Sequence, residues 1–148
     1  HENELSGTTD VAARPEFEDR RRTKTIEGTT LTGWFAEDFT LAELRTLRVK
    51  ERVAGIRPAN ARFDGLYQIP TFEEIVKLAR AKEAETGRTI GLYPELKHPT
   101  VLLEQEGIDS VDLIVRDLKR FGLDKATSPV FVQVFEVRPL QRLNQLVD

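Results

Sequence analysis

The sequence predicts an α/β fold in which parallel strands alternate with crossover helices. After residue 70, two short apolar runs alternate with helical patterns in the order helix, strand, helix, strand, helix. Both runs are apolar almost throughout, which is typical of strands whose two faces are covered. These observations leave two architectures open, an open doubly wound sheet and a (β/α)₈ barrel.

Composition restricts the class of protein. The 148 residues, of which 39% are hydrophobic, suit one domain with a core and exclude global disorder. No run of about eighteen apolar residues is present, so we predict no membrane-spanning helix. The net charge of −3 gives no bulk attraction for nucleic acid, so we predict no nucleic-acid partner. Nothing in the composition predicts an oligomeric state.

The metal-binding chemistry open to the chain is limited. It has no cysteine, which excludes disulfides and thiolate metal sites. Its histidines are His1 and His98, so carboxylates are the main candidates for metal ligands. Oxygen ligands favour a hard cation such as Ca²⁺ or Mg²⁺.

The first seventy residues are polar and irregular, with one clear short helix. Thr40 is a good N-cap and Glu43 follows three residues later, which predicts a capping box at the start of this helix. Trp34 and Phe35 also lie in this stretch. Aromatic residues in a long loop more often anchor it to the body of the protein than line a pocket.

The elements after residue 70 have clearer boundaries. A second capping box, formed by Thr71 and Glu74, predicts a helix that ends at Gly87. The elements predicted to follow are a strand over Thr89–Glu95, a helix from about Ser110 to Gly122, a strand over Val130–Phe135 and a helix that begins near Pro139. The predicted apolar helix faces are Phe72, Ile75, Val76 and Ala79, and then Val111, Ile114, Val115, Leu118 and Phe121.

Polar side chains follow the first apolar run, at the strand end where parallel α/β folds gather active groups. Glu95 closes this run, and burying an acid there is costly unless it is paired, protonated or bound to a cation. Lys97 lies two residues on, so both side chains point the same way if the strand persists. The two residues suit a phosphate site with a metal, or they neutralise each other as an ion pair.

Gln133 and His98 are further candidates. Gln133 lies inside the second apolar run, where it is either a hydrogen-bonded amide of the core or a ligand contact. His98 precedes Pro99 just past the first strand, and a histidine in a loop is more often a surface residue than a ligand. The sequence has no phosphate-binding loop and no Gly-rich dinucleotide fingerprint.

Five segments together resemble one known family. The stretch Ile90–Lys97 resembles the strand motif of glycerophosphodiester phosphodiesterases, and His1–Ala12 looks like the family's His-Asp segment, which Thr-Asp-Val follows. Three further segments occur in the family's order, namely Phe39–Leu44, Pro70–Glu74 and Val132–Phe135. The irregular stretch before Pro70 is most similar to the periplasmic or secreted bacterial branch, which implies that localisation.

The resemblance implies a fold and a reaction. The family has a TIM (β/α)₈ barrel with a small insertion on its catalytic face. Residues 1–148 would be part of one such barrel domain, with the insertion at about 10–65 and βα units at 66–148. The family hydrolyses glycerophosphodiesters to glycerol 3-phosphate and an alcohol. It uses one Ca²⁺ or Mg²⁺ held by three carboxylates, and two histidines as general acid and base.

The resemblance also implies roles for four residues. His1 matches the second catalytic histidine, which we predict to be the acid, and Glu95 matches the third metal carboxylate. Lys97 matches the lysine near the phosphate, and Gln133 matches a strand-end residue that binds substrate. Glu2 stands where the family usually has Asp. The hydrolase hypothesis therefore requires His1 and Glu95 to converge on one cavity.

Parts of the family pattern are missing from this sequence. The His-Arg-Gly segment and the Glu-x-Asp pair, which hold the other histidine and two metal carboxylates, are absent. We therefore expect an internal piece of a longer enzyme. Two alternatives remain, a non-catalytic binding or interaction piece, and a related barrel that acts on lysophospholipids or sphingomyelin.

Overall fold

The computed structural model describes residues 3–147, and the chain divides into two compact units. The N-terminal unit spans residues 1–69 and the C-terminal unit spans residues 70–148. The division falls close to the predicted end of the insertion at about residue 65. The assignment of residues 10–65 to a catalytic-face insertion stays a prediction.

A β-hairpin in the N-terminal unit corrects the prediction of an irregular stretch. Strand β1 spans Arg22–Ile26 and pairs antiparallel with strand β2, Thr29–Gly33. Positive φ angles of 48° at Glu27 and 79° at Gly28 form the tight two-residue turn between them. On the exposed face, threonine hydroxyls pair across the strands at 2.9 and 3.1 Å.

The rest of the N-terminal unit consists of short helices. The predicted capping box is confirmed: Thr40 and Glu43 bond each other's backbone N–H groups at the start of α1, Leu41–Leu44. The described part of the unit also contains four 3₁₀ helices, at Val11–Ala13, Pro15–Arg20, Ala36–Asp38 and Ala61–Phe63.

The N-terminal unit has its own hydrophobic core. The core is formed by Leu5, Val11, Phe17 and Leu47, with Trp34, Ala36, Phe39, Leu44 and Ile69 packed against it. Phe35 is completely buried, and the Trp34 indole N–H donates to the Phe17 carbonyl oxygen at 2.6 Å. Both aromatic residues are therefore held within this unit, and the prediction that they anchor the loop to the body of the protein stays a prediction.

The Thr-Asp-Val segment lies inside this core. Thr9 and Val11 are buried, and the carboxylate of Asp10 accepts hydrogen bonds from the Arg48 backbone N–H at 2.8 Å and from Arg14 Nε at 2.9 Å. Burial acts to raise the pKa of Asp10, but the hydrogen bonds from Arg48 and Arg14 outweigh it and lower this pKa. Through the hydrogen bonds of Asp10, the segment is thus connected to the loop at residue 48.

The C-terminal unit begins with the second predicted helix. Helix α2 spans Phe72–Thr86, its capping box forms as predicted, and Gly87 ends it with a φ of 66°. Val76 and Ala79 are buried, as the apolar face predicts, but Ile75 is 38% exposed. Fewer residues of α2 are therefore buried than the apolar pattern of the sequence predicts.

The two predicted strands pair in parallel, as expected, but over fewer residues. Strand β3 spans Glu95–Leu96 and strand β4 spans Gln133–Val134, with Glu95 opposite Gln133 and Leu96 opposite Val134. One isolated parallel bridge joins Leu92 to Val130 further back. The number of residues that pair in a sheet depends on the partner strand as well as on the local sequence. The length of an apolar run alone therefore overestimates the length of the strand.

Three helices accompany these strands. Helix α3, Pro99–Glu106, was not predicted, whereas α4, Ser110–Phe121, and α5, Val137–Leu146, match the predictions to within two residues. The core of the unit is formed by Val111, Ile114, Val115, Leu118 and Leu143. Leu96, Val130 and Val132 pack against this core, so one face of the strands is covered by helices.

An ion-pair network connects α4 and α5. Asp109 caps α4 by accepting from the Asp112 backbone N–H, and Arg142 of α5 donates to Asp109 at 2.8 Å and to Asp112 at 2.5 Å. Hydrogen bonding from Arg142 lowers the pKa of Asp109, and Asp109 in turn raises the pKa of Arg142. The pair therefore favours the charged form of both groups.

The architecture is mixed α/β with short sheets. Residues 3–147 contain two sheets of two strands each and no closed barrel, so the partial barrel implied by the resemblance is not confirmed. No helix within the described residues has the length and apolar character to cross a membrane.

Candidate active site

The predicted polar residues lie together on β3 and β4, but Glu95 and Gln133 begin these two short strands, whereas the sequence predicted that Glu95 ends its strand. Lys97 follows the last residue of β3. Glu95 and Gln133 are register partners across the parallel pair, so they occupy neighbouring positions on the sheet. Side chains alternate along a strand, and the even-numbered neighbours Leu96 and Val132 face the helical core. Glu95, Lys97 and Gln133 therefore share the face that the helices leave uncovered.

Glu95 and Lys97 form an ion pair on that face. Lys97 Nζ lies 2.9 Å from Glu95 Oε1, and the two side chains are 21% and 26% exposed, respectively. The same Oε1 atom is buried and accepts no hydrogen bond of regular geometry from the described residues. The attraction between the groups is thus ionic, and the carboxylate oxygen keeps acceptor capacity. The prediction that both side chains point the same way is confirmed.

The aromatic ring of Phe135 also lies on this face. Phe135 follows β4 directly, and its ring centroid lies 5.4 Å from Lys97 Nζ. This distance falls within the cation–π range of about 6 Å. The available signal was the alternation from Gln133, which puts Phe135 on the same face two residues later.

His98 occupies an unusual turn between β3 and α3. Its φ of 47° is left-handed, and it is the N-cap of α3 with Pro99 in the first turn. His98 is half-buried rather than a fully exposed surface residue. The chain changes direction at this turn, immediately after Lys97, so Lys97 is the last residue of the extended segment that contains β3.

His1 lies outside the described residues. Its predicted role as general acid, and its convergence with Glu95, therefore stay predictions. No group of three acidic or histidine side chains within residues 3–147 is arranged to hold a metal ion. Among these residues Glu95 is a single candidate ligand rather than part of a complete metal site.

A second buried ionic cluster was not predicted. Lys24 on β1 lies 3.0 Å from a carboxylate oxygen of Glu37 and 2.9 Å from one of Asp38, and it lies over the ring of Phe35 at 5.0 Å. The other oxygens, Glu37 Oε2 and Asp38 Oδ2, are buried and accept no hydrogen bond from the described part of the chain. The cluster fastens the hairpin to the helix at Ala36–Asp38.

An open cavity of about 220 Å³ lies away from the polar residues. It is lined by residues of α4 and α5 and by the segment before β4, including Val130 and Phe131, and not by Glu95, Lys97 or Gln133. It lies beside the segment that leads into β4. The polar face remains the better candidate, because it brings Glu95, Lys97 and Gln133 together.

The fold and the polar face define a class of protein. Parallel α/β proteins bind ligands beside the ends of their strands, and here an acid, a lysine and an amide lie together on one pair of short parallel strands. The chain belongs to the glycerophosphoryl diester phosphodiesterase family, whose family model matches residues 1–148.

Relatives from a plant and a bacterium support the assignment. A glycerophosphodiester phosphodiesterase of Arabidopsis thaliana is 34% identical over 159 residues, which cover 100% of this chain and 41% of that protein. A glycerophosphodiester phosphodiesterase of Haemophilus influenzae is 29% identical over 151 residues, which cover 97% of this chain and 39% of that protein. The chain thus spans about 40% of the length of these curated relatives.

Proposed function

We propose that the protein to which this chain belongs hydrolyses glycerophosphodiesters to glycerol 3-phosphate and an alcohol, with a divalent cation. The observation that carries the proposal is the Glu95–Lys97 pair beside Gln133 on the paired strands β3 and β4. It occurs in a chain that the family model matches over its whole length. The substrate is a small molecule, and Lys97 offers a positive charge to its phosphate.

The chemistry of Glu95 fits one ligand of Ca²⁺ or Mg²⁺. Its buried Oε1 keeps a lone pair without an aligned hydrogen-bond donor, and hard cations prefer carboxylate oxygen. A bound cation would neutralise phosphate charge and polarise phosphorus towards attack. A complete ligand set would need residues outside the described part of the chain, because residues 3–147 contain no group of three acidic or histidine side chains arranged to hold a metal.

Lys97 and Gln133 would orient the substrate. The Lys97 ammonium has three N–H donors and can hold a phosphate oxygen while it remains near Glu95. The Gln133 amide offers both a donor and an acceptor at the next position across the sheet. In this arrangement the lysine binds the anionic part of the diester and the amide contacts a neighbouring oxygen.

His1 would supply the leaving-group proton. An imidazole ionises near neutral pH and can protonate the departing alcohol oxygen as the P–O bond breaks. A second base would take the proton of the attacking group. The role of His1 rests on its position in the family's His-Asp segment. Because the resemblance is to the periplasmic or secreted branch, we also propose that localisation for the protein.

The decisive experiment compares hydrolysis of glycerophosphocholine by the 148-residue chain and by the intact protein, with and without Ca²⁺. We expect the intact protein to hydrolyse it and the chain alone to bind the cation weakly and hydrolyse nothing, since it offers one carboxylate where the family uses three. A lysophospholipid and sphingomyelin serve as alternative substrates. Faster turnover of either lipid would replace the proposal with the related phospholipid reaction, and no turnover of any diester would refute it.

The metal assignment has a matched control. Replacing Glu95 with Gln in the intact protein should weaken the dependence of activity on Ca²⁺, because an amide lacks the charge that holds the cation. Replacing Glu104 with Gln makes the same chemical change at an exposed position on α3 and should leave the Ca²⁺ titration unaltered. Identical titrations for the two variants would remove Glu95 from the ligand set.

A further inference from the structure

The N-terminal unit contains a strongly basic segment that the reaction outlined above does not use. Residues 45–67 include six arginine or lysine residues and two acidic residues, which gives this segment a net charge of +4. Because the whole chain has a net charge of −3, the remaining residues together carry −7. A local concentration of positive charge on an acidic protein attracts anionic partners to that part of the surface.

Residues 49–67 of this segment form a surface loop whose two ends are joined to each other. The Gly65 backbone N–H donates to the Val49 carbonyl oxygen at 2.9 Å. The Glu51 N–H donates to Asp64 Oδ1 at 2.7 Å. The loop therefore has a defined base, and compact surface loops with joined ends frequently carry a function. We refer to residues 49–67 as the basic loop.

The middle of the basic loop is exposed and presents an apolar side chain next to an arginine. Residues 55–60 are all exposed, and Ile56 is 81% exposed. The N–H groups of Ile56 and Arg57 both donate to the Val53 carbonyl oxygen, at 2.8 and 3.0 Å, so the chain forms a tight turn here. An isoleucine in water gains free energy when a partner covers it, and this position therefore suits a contact surface.

The acidic residues of the basic loop do not cancel its positive charge. Hydrogen bonds from the Val53 N–H and the Asn60 amide lower the pKa of Glu51, and the charges of Arg57 and Arg52 lower it further. Glu51 is therefore ionised at neutral pH. The four basic side chains of the loop are all exposed, and its net charge, with both acidic residues counted, is still +2.

We propose that the basic loop docks on the surface of an anionic lipid bilayer, with Ile56 inserted among the headgroups and Arg52 and Arg57 near the lipid phosphates. The proposal assigns an interaction surface to the N-terminal unit and does not depend on the proposed reaction. Basic residues attract anionic headgroups, and apolar side chains become buried at the boundary between headgroups and acyl chains. The two features of the loop therefore act together at such a surface.

The exposed aliphatic side chains favour a bilayer over a nucleic acid as the anionic partner. Besides Ile56, the basic loop contains Leu66, which is 63% exposed. Aliphatic groups gain free energy when they leave water for an apolar environment, which a membrane offers and a phosphate backbone does not. Single-stranded nucleic acids are bound by basic residues together with stacked aromatic rings. Here the Arg62 guanidinium lies over the Phe63 ring, 4.6 Å from its centroid, and so covers one face of that ring.

The first test measures the binding of the 148-residue chain to lipid vesicles by co-sedimentation. We expect binding to vesicles of equal parts phosphatidylcholine and phosphatidylglycerol, and little binding to phosphatidylcholine alone. Raising NaCl from about 0.1 to about 0.5 M should weaken the binding, because salt screens the attraction. R57Q and R52Q should each weaken it about fivefold, the factor expected for one basic residue near an anionic surface. I56A should weaken it at least fivefold by removing the apolar contact.

Two variants of the C-terminal unit provide matched controls. Arg88 is exposed after α2, and Leu78 is 56% exposed on that helix. R88Q removes the same charge as R57Q, and L78A removes as many carbons as I56A, yet both should leave the binding unchanged. Unaltered emission of Trp34 would show that the loop variants keep the N-terminal unit folded. Equal losses in the loop variants and in their controls, or equal binding to neutral and anionic vesicles, would overturn the proposal.

Two further outcomes would assign the basic loop to a different partner and so overturn the proposal. The first is tighter binding to a single-stranded RNA than to the vesicles, weakened by R57Q but not by I56A. The second is self-association in sedimentation velocity that R57Q abolishes, without any binding to vesicles.

The intact protein should bind the same anionic vesicles as the 148-residue chain. Failure to bind them would show that other parts of the protein cover the loop, and this result would also overturn the proposal. Vesicle binding is measured without substrate, so a failure of the intact protein to hydrolyse diesters would refute the proposed function and leave this measurement decisive for the loop.

Discussion

Replacing Leu118 with Ala should strongly destabilise the C-terminal unit. Leu118 is 3% exposed in the core between α4 and α5, where it packs with residues such as Leu143. The substitution removes three carbons, which corresponds to about 2.4 kcal/mol of lost transfer free energy at about 0.8 kcal/mol per carbon. The cavity left behind adds to this loss, so we expect a decrease of about 3–4 kcal/mol in the free energy of unfolding.

The same helix offers a control for this prediction. Leu113 is 41% exposed on α4, and its replacement with Ala involves the same change of helix propensity. We expect a loss of about 1 kcal/mol there, since roughly half of the side chain is already in water. Urea titrations followed by backbone NMR signals of α4 would give both values. Equal losses for the two variants would refute the assignment of Leu118 to the core.

Three further predictions concern charge, catalysis and capping. Because Arg142 lowers the pKa of Asp109, Asp109 stabilises the folded state above its unfolded pKa of about 3.9, and this stability is lost as the pH falls through the lower folded pKa. D109N should therefore reduce the loss of stability at acidic pH but keep the cap of α4, because an asparagine can also cap a helix. D109A should lose the cap as well. Identical curves of stability against pH for the unmodified chain and D109N would contradict this. Replacing His1 with Ala in the intact protein should lower kcat about 10²-fold, and a near-normal kcat would exclude it as the acid. Replacing Thr71 with Ala should cost about 1 kcal/mol in urea unfolding, because the cap of α2 is lost, and an unchanged midpoint would count against that cap.

Helix ends were predictable because they depend on neighbouring residues. The capping boxes at Thr40 and Thr71 each join residues three apart, so the sequence alone specifies them. Gly122 ends α4 in the left-handed conformation that the sequence predicts. Helix α3 was missed although Pro99 at its start and Gly107 after its end are recognised signals.

The hairpin was missed because its strands lack a regular apolar face. Ile26 and Gly33 are the buried positions of β1 and β2, and most of the others are exposed. The β-branched threonines and the Glu27–Gly28 turn were the available signals. Solvent-exposed strands of this kind form because they pair with each other and not because they bury an apolar face.

The candidate site was partly predictable. Glu95 and Lys97 could be placed on one face from their spacing alone, and their ion pair is observed. Their contact with Phe135 depends on the register between β3 and β4, which joins residues nearly forty positions apart. The alternation of one strand cannot specify its alignment with another.

Intrinsic tryptophan fluorescence of this protein reports on the surroundings of Trp34. This residue is the one tryptophan in the sequence, and its indole group is fixed in the N-terminal unit by the Phe17 carbonyl oxygen. Selectively excited intrinsic fluorescence would therefore follow the melting of residues 1–69. A fluorescence midpoint would therefore describe the unit that contains Trp34, and unfolding around Leu118 needs a probe in the C-terminal unit.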